Sequence, residues 1–416
     1  MKAFEGSRRP GAITDVLVVL GVLSLLAAAL WHLHLDDYQL GFSYSDLLPR
    51  WAGTRLALHG IDPYNDSILA AIQTSYHVRA QPFLYPAHVI LYLLPLAPLT
   101  LLSAQIVFLV VVTPLFAWSL GLTMKTLGLP VSRRVRIWVV LLACVSWPAM
   151  WALRLQQFTL VVAALVFIAW SLIARGRQVL PGILLALATI KPQLILPLLL
   201  WLLVWAILRR QGRLIVAFVV TLAILLETTE KLVPGWIPHW YLAVSNYSDA
   251  RHTAPPLVAI FGHRIGLVMT AMLAIAAGLA LLRLLRSRAG SREFTLAMSL
   301  ALAVTLCLVS AAPTMIYNDV MLFPALLILA LEKPQDRFAG ALRFLALLLL
   351  CWDFAAVPIA ATAELLGGPS NFWNGFPFID TVLPVLVTLA LSIEVLRRPA
   401  SAFIPATPPA AAAPQP

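Results

Sequence analysis

Apolar runs long enough to cross a membrane recur along the chain, and they restrict its fold more than any other feature of the sequence. One extends from Ile13 to Trp31, and others lie near residues 101–124 and 264–285. A helix needs about 20 predominantly apolar residues to cross the hydrocarbon core of a bilayer. Of the 416 residues, 61% are hydrophobic and only 11% are charged. The sequence therefore predicts an all-α polytopic membrane protein, not a soluble domain.

Basic residues cluster between the apolar runs and predict the orientation of the chain. Of the 29 Lys and Arg residues, 21 fall in seven clusters that the positive-inside rule assigns to the cytoplasm, near residues 2–9, 125–136, 175–177, 209–213, 283–292, 333–343 and 397–398. Orientation thus accounts for most of the net charge of +11, and no nucleic-acid partner is predicted. These constraints predict about twelve transmembrane helices in the plasma (inner) membrane, with both termini cytoplasmic. The spans lie near residues 13–31, 101–124, 137–152, 157–174, 179–190, 193–208, 214–232, 264–285, 294–310, 319–331, 342–362 and 379–396.

Two stretches leave the count of spans open. The first run resembles a signal peptide, but it exceeds the roughly 7–15 residues of a typical signal core, which favours an uncleaved helix. The run from Tyr85 to Thr100 is short and contains three prolines, so we interpret it as a re-entrant or interfacial helix. Residues 1–398 are predicted to form the transmembrane domain, and the Pro/Ala-rich residues 399–416 a disordered cytoplasmic tail.

The longest polar interval runs from Asp46 to His88 and follows the first apolar run, so it is predicted to lie on the outer face. The residues from Leu47 to His59 alternate in a roughly helical pattern, which predicts an interfacial helix. A carboxylate at Asp46 would either cap that helix or act in catalysis. The pattern alone leaves both interpretations open.

Other polar residues interrupt the apolar runs. Lys191 is predicted at the outer end of a helical hairpin, where its ammonium would bind a lipid-linked phosphate or extend to the interface. Gln156, Gln157 and Thr159 would bind a sugar or cap a helix. The polar break from Ser310 to Asp319 suits a hydroxyl-rich ligand, and Asp353 is interpreted as an interhelical hydrogen-bond partner. No zinc spacing, phosphate loop or dinucleotide motif is present, and we expect neither metal nor cofactor.

Four stretches, in this order, resemble glycosyltransferase family 87, whose members are multi-spanning enzymes of the GT-C type. They are D-x3-RW-x2-TRLALHGIDPY from Asp46, YPAH from Tyr85, LQQFTLVVAAL from Leu155 and G-x7-IKPQL from Gly182. The Lys-Pro pair of the family is intact as Lys191-Pro192. Its G-Q-x-N motif corresponds to Gln156 to Thr159 and departs at two positions, and its late serine-proline segment is loosened at Ser310 to Asp319. These departures bear on the acceptor more than on the fold.

The resemblance implies transfer of a hexose, typically mannose, from a polyprenyl-phosphate donor to a lipid-linked or glycan acceptor on the outer face. In that reaction one carboxylate takes a proton from the attacking hydroxyl, and cations stabilise the leaving phosphate. The resemblance assigns the base to Asp46, with Asp37 as the alternative. The candidates for binding the donor phosphate or sugar are Lys191, Arg251, His252, Arg264, Gln157, Tyr85 and Asp319. The other expected partners are membrane lipids.

A transporter or flippase of lipid-linked sugar precursors is the alternative function. Transporters often contain internal repeats and charges deep in broken helices. Here no repeat is visible and the charges concentrate in the predicted outer loops, which favours an enzyme.

Overall fold

The computed structural model describes residues 45–78, 80–128, 131–251, 254–286, 291–309, 316–331 and 377–397, together with single residues between 337 and 351. The prediction of an all-α protein is confirmed for these residues, which contain no strand. The helices are α1 Leu47–Leu58, α2 Asp66–Ser75, α3 Val89–Leu93, α4 Leu101–Thr126, α5 Arg133–Val145, α6 Trp147–Arg154, α7 Thr159–Ile173, α8 Val179–Leu187, α9 Leu196–Leu208, α10 Gly212–Leu232, α11 Trp236–Arg251, α12 Pro256–Phe261, α13 His263–Arg286, α14 Ser291–Val309, α15 Phe323–Leu331 and α16 Pro377–Arg397. Short 3-10 helices cover Leu94–Leu96, Ala188–Ile190, Pro192–Leu194 and Ile316–Leu322.

Three helices within the described residues are long and apolar enough to cross a membrane: α4, α10 and α13. Helices α5 and α6 together form a fourth candidate that is bent by 54°. The predicted count of twelve spans is therefore not confirmed. The predicted span near residues 13–31 lies outside the described residues, as does the proposed tail.

Several predicted spans form apolar helices that are shorter than the membrane is thick. Helix α7 has 15 residues and α9 has 13, which correspond to roughly 20 Å of helix against about 30 Å of hydrocarbon. The helical structure is interrupted at Gln156–Phe158 and again around Lys191. Polar residues therefore end these helices before they are long enough to cross the membrane. The run from Tyr85 to Thr100 contains only α3 and a 3-10 turn, both too short to span.

Helix α7 is the centre of the described bundle. Thirteen of its fifteen residues are buried, including Phe167 and Trp170, which are completely enclosed. It packs against α4 and α8. A helix that is apolar on every side is enclosed either by protein or by lipid. Because protein encloses α7, the residues that lead into it are held against neighbouring helices.

Helices α8 and α10 approach each other closely at Gly182. A Cβ atom at this position would lie 2.4 Å from the carbonyl oxygen of Leu214 and 2.9 Å from Cβ of Ala217. Only glycine fits such a contact without movement of the backbone. This contact fixes the helix that leads to Lys191.

Helix α1 differs from the predicted interfacial helix. Arg50 and Thr54, on its predicted polar side, are both buried. The indole nitrogen of Trp51 donates to the carbonyl oxygen of Leu96 at 3.1 Å, and the Thr54 hydroxyl donates to the carbonyl oxygen of Arg50 at 2.8 Å. Arg50 and Thr54 thus face the interior of the protein, whereas Arg55 is exposed.

Candidate active site

Asp46 immediately precedes α1, but its side chain does not cap the helix. The Ser45 hydroxyl instead accepts from the backbone N–H of Leu47 at 3.2 Å. The backbone N–H of Asp46 donates to the carbonyl oxygen of Leu155 at 2.9 Å, which attaches this turn to the end of α6. The capping interpretation of the Asp46 carboxylate is therefore wrong, and the carboxylate is available for other contacts.

The Gln157 amide connects Asp46 to Lys191. Its nitrogen donates to Asp46 Oδ2, and its oxygen accepts from Lys191 Nζ at 3.2 Å and from the Tyr85 hydroxyl at 3.2 Å. Gln156 has a φ of 53°, which lets the chain turn sharply between α6 and α7. Gln157 is 1% exposed. One amide thus joins an anionic and a cationic side chain inside the protein.

The Lys191 ammonium has a hydrogen-bond acceptor for each of its three hydrogens. These are Gln157 Oε1, Thr159 Oγ1 at 2.6 Å and Asn318 Oδ1 at 3.2 Å. The ring of Tyr317 lies 4.6 Å from Nζ, within range of a cation–π contact. Lys191 is 4% exposed, so the interpretation that it extends to the interface is wrong. Burial of an ammonium is tolerated when all its donors are satisfied.

The two oxygens of the Asp46 carboxylate have different surroundings. Gln157 contacts Oδ2, and the nearest Arg50 nitrogen lies 3.9 Å from the same oxygen. No contact to Oδ1 exists among the described residues, and the Asp46 side chain is 16% exposed. Oδ1 is therefore the oxygen that can accept a proton from a bound molecule.

Arg50 is a member of this cluster that the sequence interpretation did not assign to the site. Its guanidinium lies over the ring of Tyr85, with 4.1 Å between Cζ and the ring centre. Nε and Nη1 are buried and have no hydrogen-bond partner among the described residues. Unsatisfied buried donors of this kind are costly. The signal was present in the sequence, because Asp46 and Arg50 are four residues apart and lie on one side of a helix.

Tyr85 contributes a neutral donor. Burial raises the pKa of its hydroxyl to about 12, so the group remains protonated at neutral pH and donates to Gln157. Its ring also packs against Phe158, with 5.6 Å between the ring centres. Tyr85 thereby holds Arg50 on one side and the Gln157 amide on the other.

The other predicted site residues take no part in the hydrogen bonds described above. Asp319 is buried in the 3-10 helix that also carries Asn318. Arg264 is exposed in the first turn of α13 and makes none of the cluster contacts given above. Arg251 ends α11, but its side chain lies outside the description. Asp37, His252, Ser310 and Asp353 also lie outside the described residues. Within the described ranges, no group of three or more potential metal-ligating His, Cys, Asp or Glu residues occurs.

Helix α11 contacts the turn that follows α1. His239 Nδ1 lies 2.9 Å from Asp62 Oδ2, and the Trp240 indole nitrogen donates to the carbonyl oxygen of Leu84 at 3.1 Å. The Tyr64 hydroxyl donates to the carbonyl oxygen of Tyr85 at 2.7 Å. Two polar intervals that are far apart in the sequence are therefore joined beside the cluster.

Comparison with protein families identifies the kind of enzyme to which the chain belongs. The model of glycosyltransferase family 87 matches residues 83–311, which is more than half of the chain. The chain belongs to glycosyltransferase family 87. The family 87 match includes Tyr85, Gln157 and Lys191, whereas Asp46 and Arg50 precede it. Comparisons with curated proteins and with solved structures gave no match.

Family membership and the apolar helices together make this chain a membrane glycosyltransferase. Such an enzyme uses a sugar donor and an acceptor. The resemblance seen in the four sequence motifs is thus confirmed at the level of the family.

Proposed function

We propose that the protein transfers a hexose, specifically mannose, from a polyprenyl-phosphate donor to a lipid-linked or glycan acceptor at the outer face of the plasma membrane. The observation that carries the proposal is the contact of one amide, Gln157, with both Asp46 and Lys191. It keeps a carboxylate and an ammonium near each other without a direct ion pair between them. A base and a phosphate-binding cation are the two groups that this transfer needs.

In the proposed reaction, Asp46 Oδ1 takes the proton of the acceptor hydroxyl as the hydroxyl oxygen attacks the anomeric carbon. The bond between that carbon and the phosphate oxygen breaks, and the polyprenyl phosphate leaves with the bonding electrons. A single displacement of this kind inverts the anomeric configuration and needs one base, in contrast to the paired carboxylates of retaining hydrolysis. Gln157 orients the carboxylate through Oδ2, so that Oδ1 faces the acceptor.

Arg50 and Lys191 are the cations that we assign to the leaving phosphate. Arg50 has donors that no described residue uses, and a guanidinium binds phosphate through two parallel hydrogen bonds. The Lys191 ammonium contributes its charge from behind the Gln157 amide. Among the sequence candidates, Arg264 is less suitable because it is exposed and makes none of the contacts that join this cluster.

The proposed donor is tested by supplying membranes that contain the full chain with labelled sugar in two chemical forms. Polyprenyl-phosphate mannose should support transfer to an extractable lipid or glycan, and GDP-mannose should not when synthesis of the lipid-linked form is blocked. Polyprenyl-phosphate glucose in parallel tests the assignment of mannose. Transfer from the nucleotide sugar alone would contradict the proposed donor class. Translocation of the donor in proteoliposomes without any transfer would instead favour the flippase.

A further inference from the structure

A second candidate site lies between α4 and α5, in a part of the bundle that the proposed reaction does not use. A cleft of about 400 Å³ opens there. Lys125, Arg133 and Arg136 line one part of it. None of the three forms an ion pair with a described residue; Lys125 and Arg133 are exposed, and Arg136 is half-buried. Three cations thus converge on one cleft without a neutralising partner in the described structure.

The sequence explains why these charges have no local partner. No Asp or Glu occurs between Asp66 and Glu227, a stretch that contains both helices of the cleft. A counter-ion for the cleft therefore cannot come from its own two helices or from the helices next to them in the sequence. A counter-ion would therefore come from another part of the protein or from a bound anion.

The remaining wall of the cleft is apolar and faces outward. Trp118, Ile137 and Leu141 line it and are 56%, 49% and 49% exposed. They lie on α4, which is long enough to cross a membrane, and on the first part of the bent pair α5 and α6. From Arg133 to Leu141 the wall extends over two turns of helix, or roughly 12 Å. The basic residues at one end of the cleft and the apolar wall beyond them match the arrangement of a phospholipid, in which a charged head group is followed by an apolar acyl chain.

We propose that this cleft binds one anionic phospholipid, with its phosphate on Lys125, Arg133 and Arg136 and an acyl chain along Trp118, Ile137 and Leu141. The basic residues are in one of the clusters that predict the cytoplasmic face, so the lipid comes from the inner leaflet. Basic pockets between transmembrane helices on that side bind anionic head groups. The lipid would supply the missing counter-charge and fill the apolar cleft between the helices. The proposal is independent of the catalytic cluster.

The test is native mass spectrometry of the full purified chain in detergent with equal amounts of phosphatidylglycerol and phosphatidylcholine of one chain length. The wild type should retain phosphatidylglycerol preferentially. The K125Q/R133Q/R136Q variant should lose at least about tenfold in affinity, because each basic residue near an anionic surface contributes. The matched control is R209Q/R210Q/R213Q, which removes the same charge at another basic turn and should retain the lipid.

Two further measurements separate a lipid from a soluble anion. Trp118→Ala should weaken retention of the lipid, whereas glycerol phosphate at millimolar concentration should not displace it. Unchanged retention by the first triple variant would overturn the proposal, as would equal loss by the control or displacement by glycerol phosphate. If the triple variant aggregates, Arg136→Gln alone should still lower affinity, and wild-type affinity in that variant would overturn the proposal.

Discussion

The free donors of Arg50 lead to a prediction about donor binding. Replacement by Gln removes the charge but retains a polar side chain, and we expect the KM for the lipid-linked donor to rise by about tenfold or more, in keeping with a hydrogen bond to a charged group. Arg50→Lys should recover only part of this loss, because an ammonium cannot bind phosphate through two parallel hydrogen bonds. Initial rates over a range of donor concentrations measure both variants.

Arg55 provides the control for Arg50. It lies on the same helix, is exposed and contacts the ring of Trp51, with 4.8 Å between Cζ and the ring centre. Arg55→Gln should leave the donor KM within about twofold of the wild type, in line with the small effect of exposed charges. An equal rise in KM for both variants would show that Arg50 acts only through general electrostatics.

His88 leads to a prediction about stability in acid. Burial lowers the pKa of His88 to about 4. Its Nε2 lies 3.3 Å from the Thr189 hydroxyl, which itself donates to the carbonyl oxygen of Ala186, so Nε2 carries the hydrogen. Between about pH 6.5 and 4 the unfolded chain binds a proton that the folded chain does not bind, so stability falls as the pH is lowered through this window. The expected contribution is about 1.4 kcal/mol per pH unit.

Thermal unfolding in detergent at pH values from 7.5 to 4.5 measures this dependence. His88→Gln retains a donor for Thr189 without a titrating group, and its melting temperature should decline less steeply with acid than that of the wild type. His77→Gln, at an exposed turn, serves as the control and should follow the wild type. Parallel curves for the wild type and His88→Gln would show that another group causes the acid sensitivity.

The sequence was informative about site residues where an ionisable or amide side chain interrupts an apolar run. Gln157 and Lys191 were predicted from such interruptions, whereas the choice of Asp46 as the base and the inclusion of Tyr85 rested on the family resemblance. The structure brings all four together. Arg50 was missed because its helix was interpreted as interfacial, where an arginine is ordinary. Asn318 was recognised only as part of a polar break, since no local pattern indicates which residue 127 positions away in the sequence will contact Lys191.

At the scale of helices, Gly182 leads to a prediction about stability. Gly182→Ala places a Cβ within 2.4 Å of the Leu214 carbonyl oxygen, so α8 and α10 must move apart. We expect a loss of about 1–3 kcal/mol, typical of an overpacked interior, together with reduced transfer because α8 leads to Lys191. Chemical or thermal unfolding in detergent measures the stability.

Gly121→Ala is the matched control, because it also replaces a helical glycine that faces a neighbouring helix. Its Cβ would meet only Val140 Cγ2, at an ordinary distance of 3.9 Å. Alanine favours a helix over glycine by about 0.8–1 kcal/mol, so this variant should be as stable as the wild type or more so. Equal destabilisation of both variants would mean that the close contact at Gly182 does not exist.

The helices were easier to predict than their lengths or their environments. The prediction of a helix from Leu47 agrees with α1 to within one residue. The apolar runs near residues 157–174 and 193–208 also form helices, but each is shorter than predicted. Hydropathy averages over a window and does not register the breaks at Gln156–Phe158 and Lys191–Leu194, where polar side chains and irregular backbone build the site.

At the scale of the whole molecule, the basic clusters predict which loops face the cytoplasm. In a variant without the native cysteines, a Cys at Ser67 should react with a membrane-impermeant maleimide in intact cells. A Cys at Gly212, next to a basic cluster, should react only after permeabilisation. Both positions are exposed, so access to the reagent depends on the side of the membrane. The reverse labelling pattern would place the catalytic cluster on the cytoplasmic side.

The short hairpin of α8 and α9 bears on where the site lies relative to the membrane. One arm begins after Arg177, the other ends before Arg209, and the two arms meet at Lys191. Each arm measures roughly 20 Å, so Lys191 would lie inside the thickness of the bilayer and not at its outer surface. Transmembrane spans can be counted in such a chain only where the helices are long enough to cross the bilayer. Because several helices are shorter than that, the prediction of twelve spans is not confirmed by the described residues.

The rate of sugar transfer by Asp46→Asn measures whether the Asp46 carboxylate takes the proton of the attacking hydroxyl. The amide keeps the size of the side chain but cannot accept that proton, so the rate at saturating donor should fall by about 10²–10⁴-fold, with little change in the amount of protein in the membrane. Asp66→Asn, at an exposed position on α2, should transfer at the wild-type rate, and Asp37→Asn examines the alternative base. A wild-type rate in Asp46→Asn would show that Asp46 is not the base.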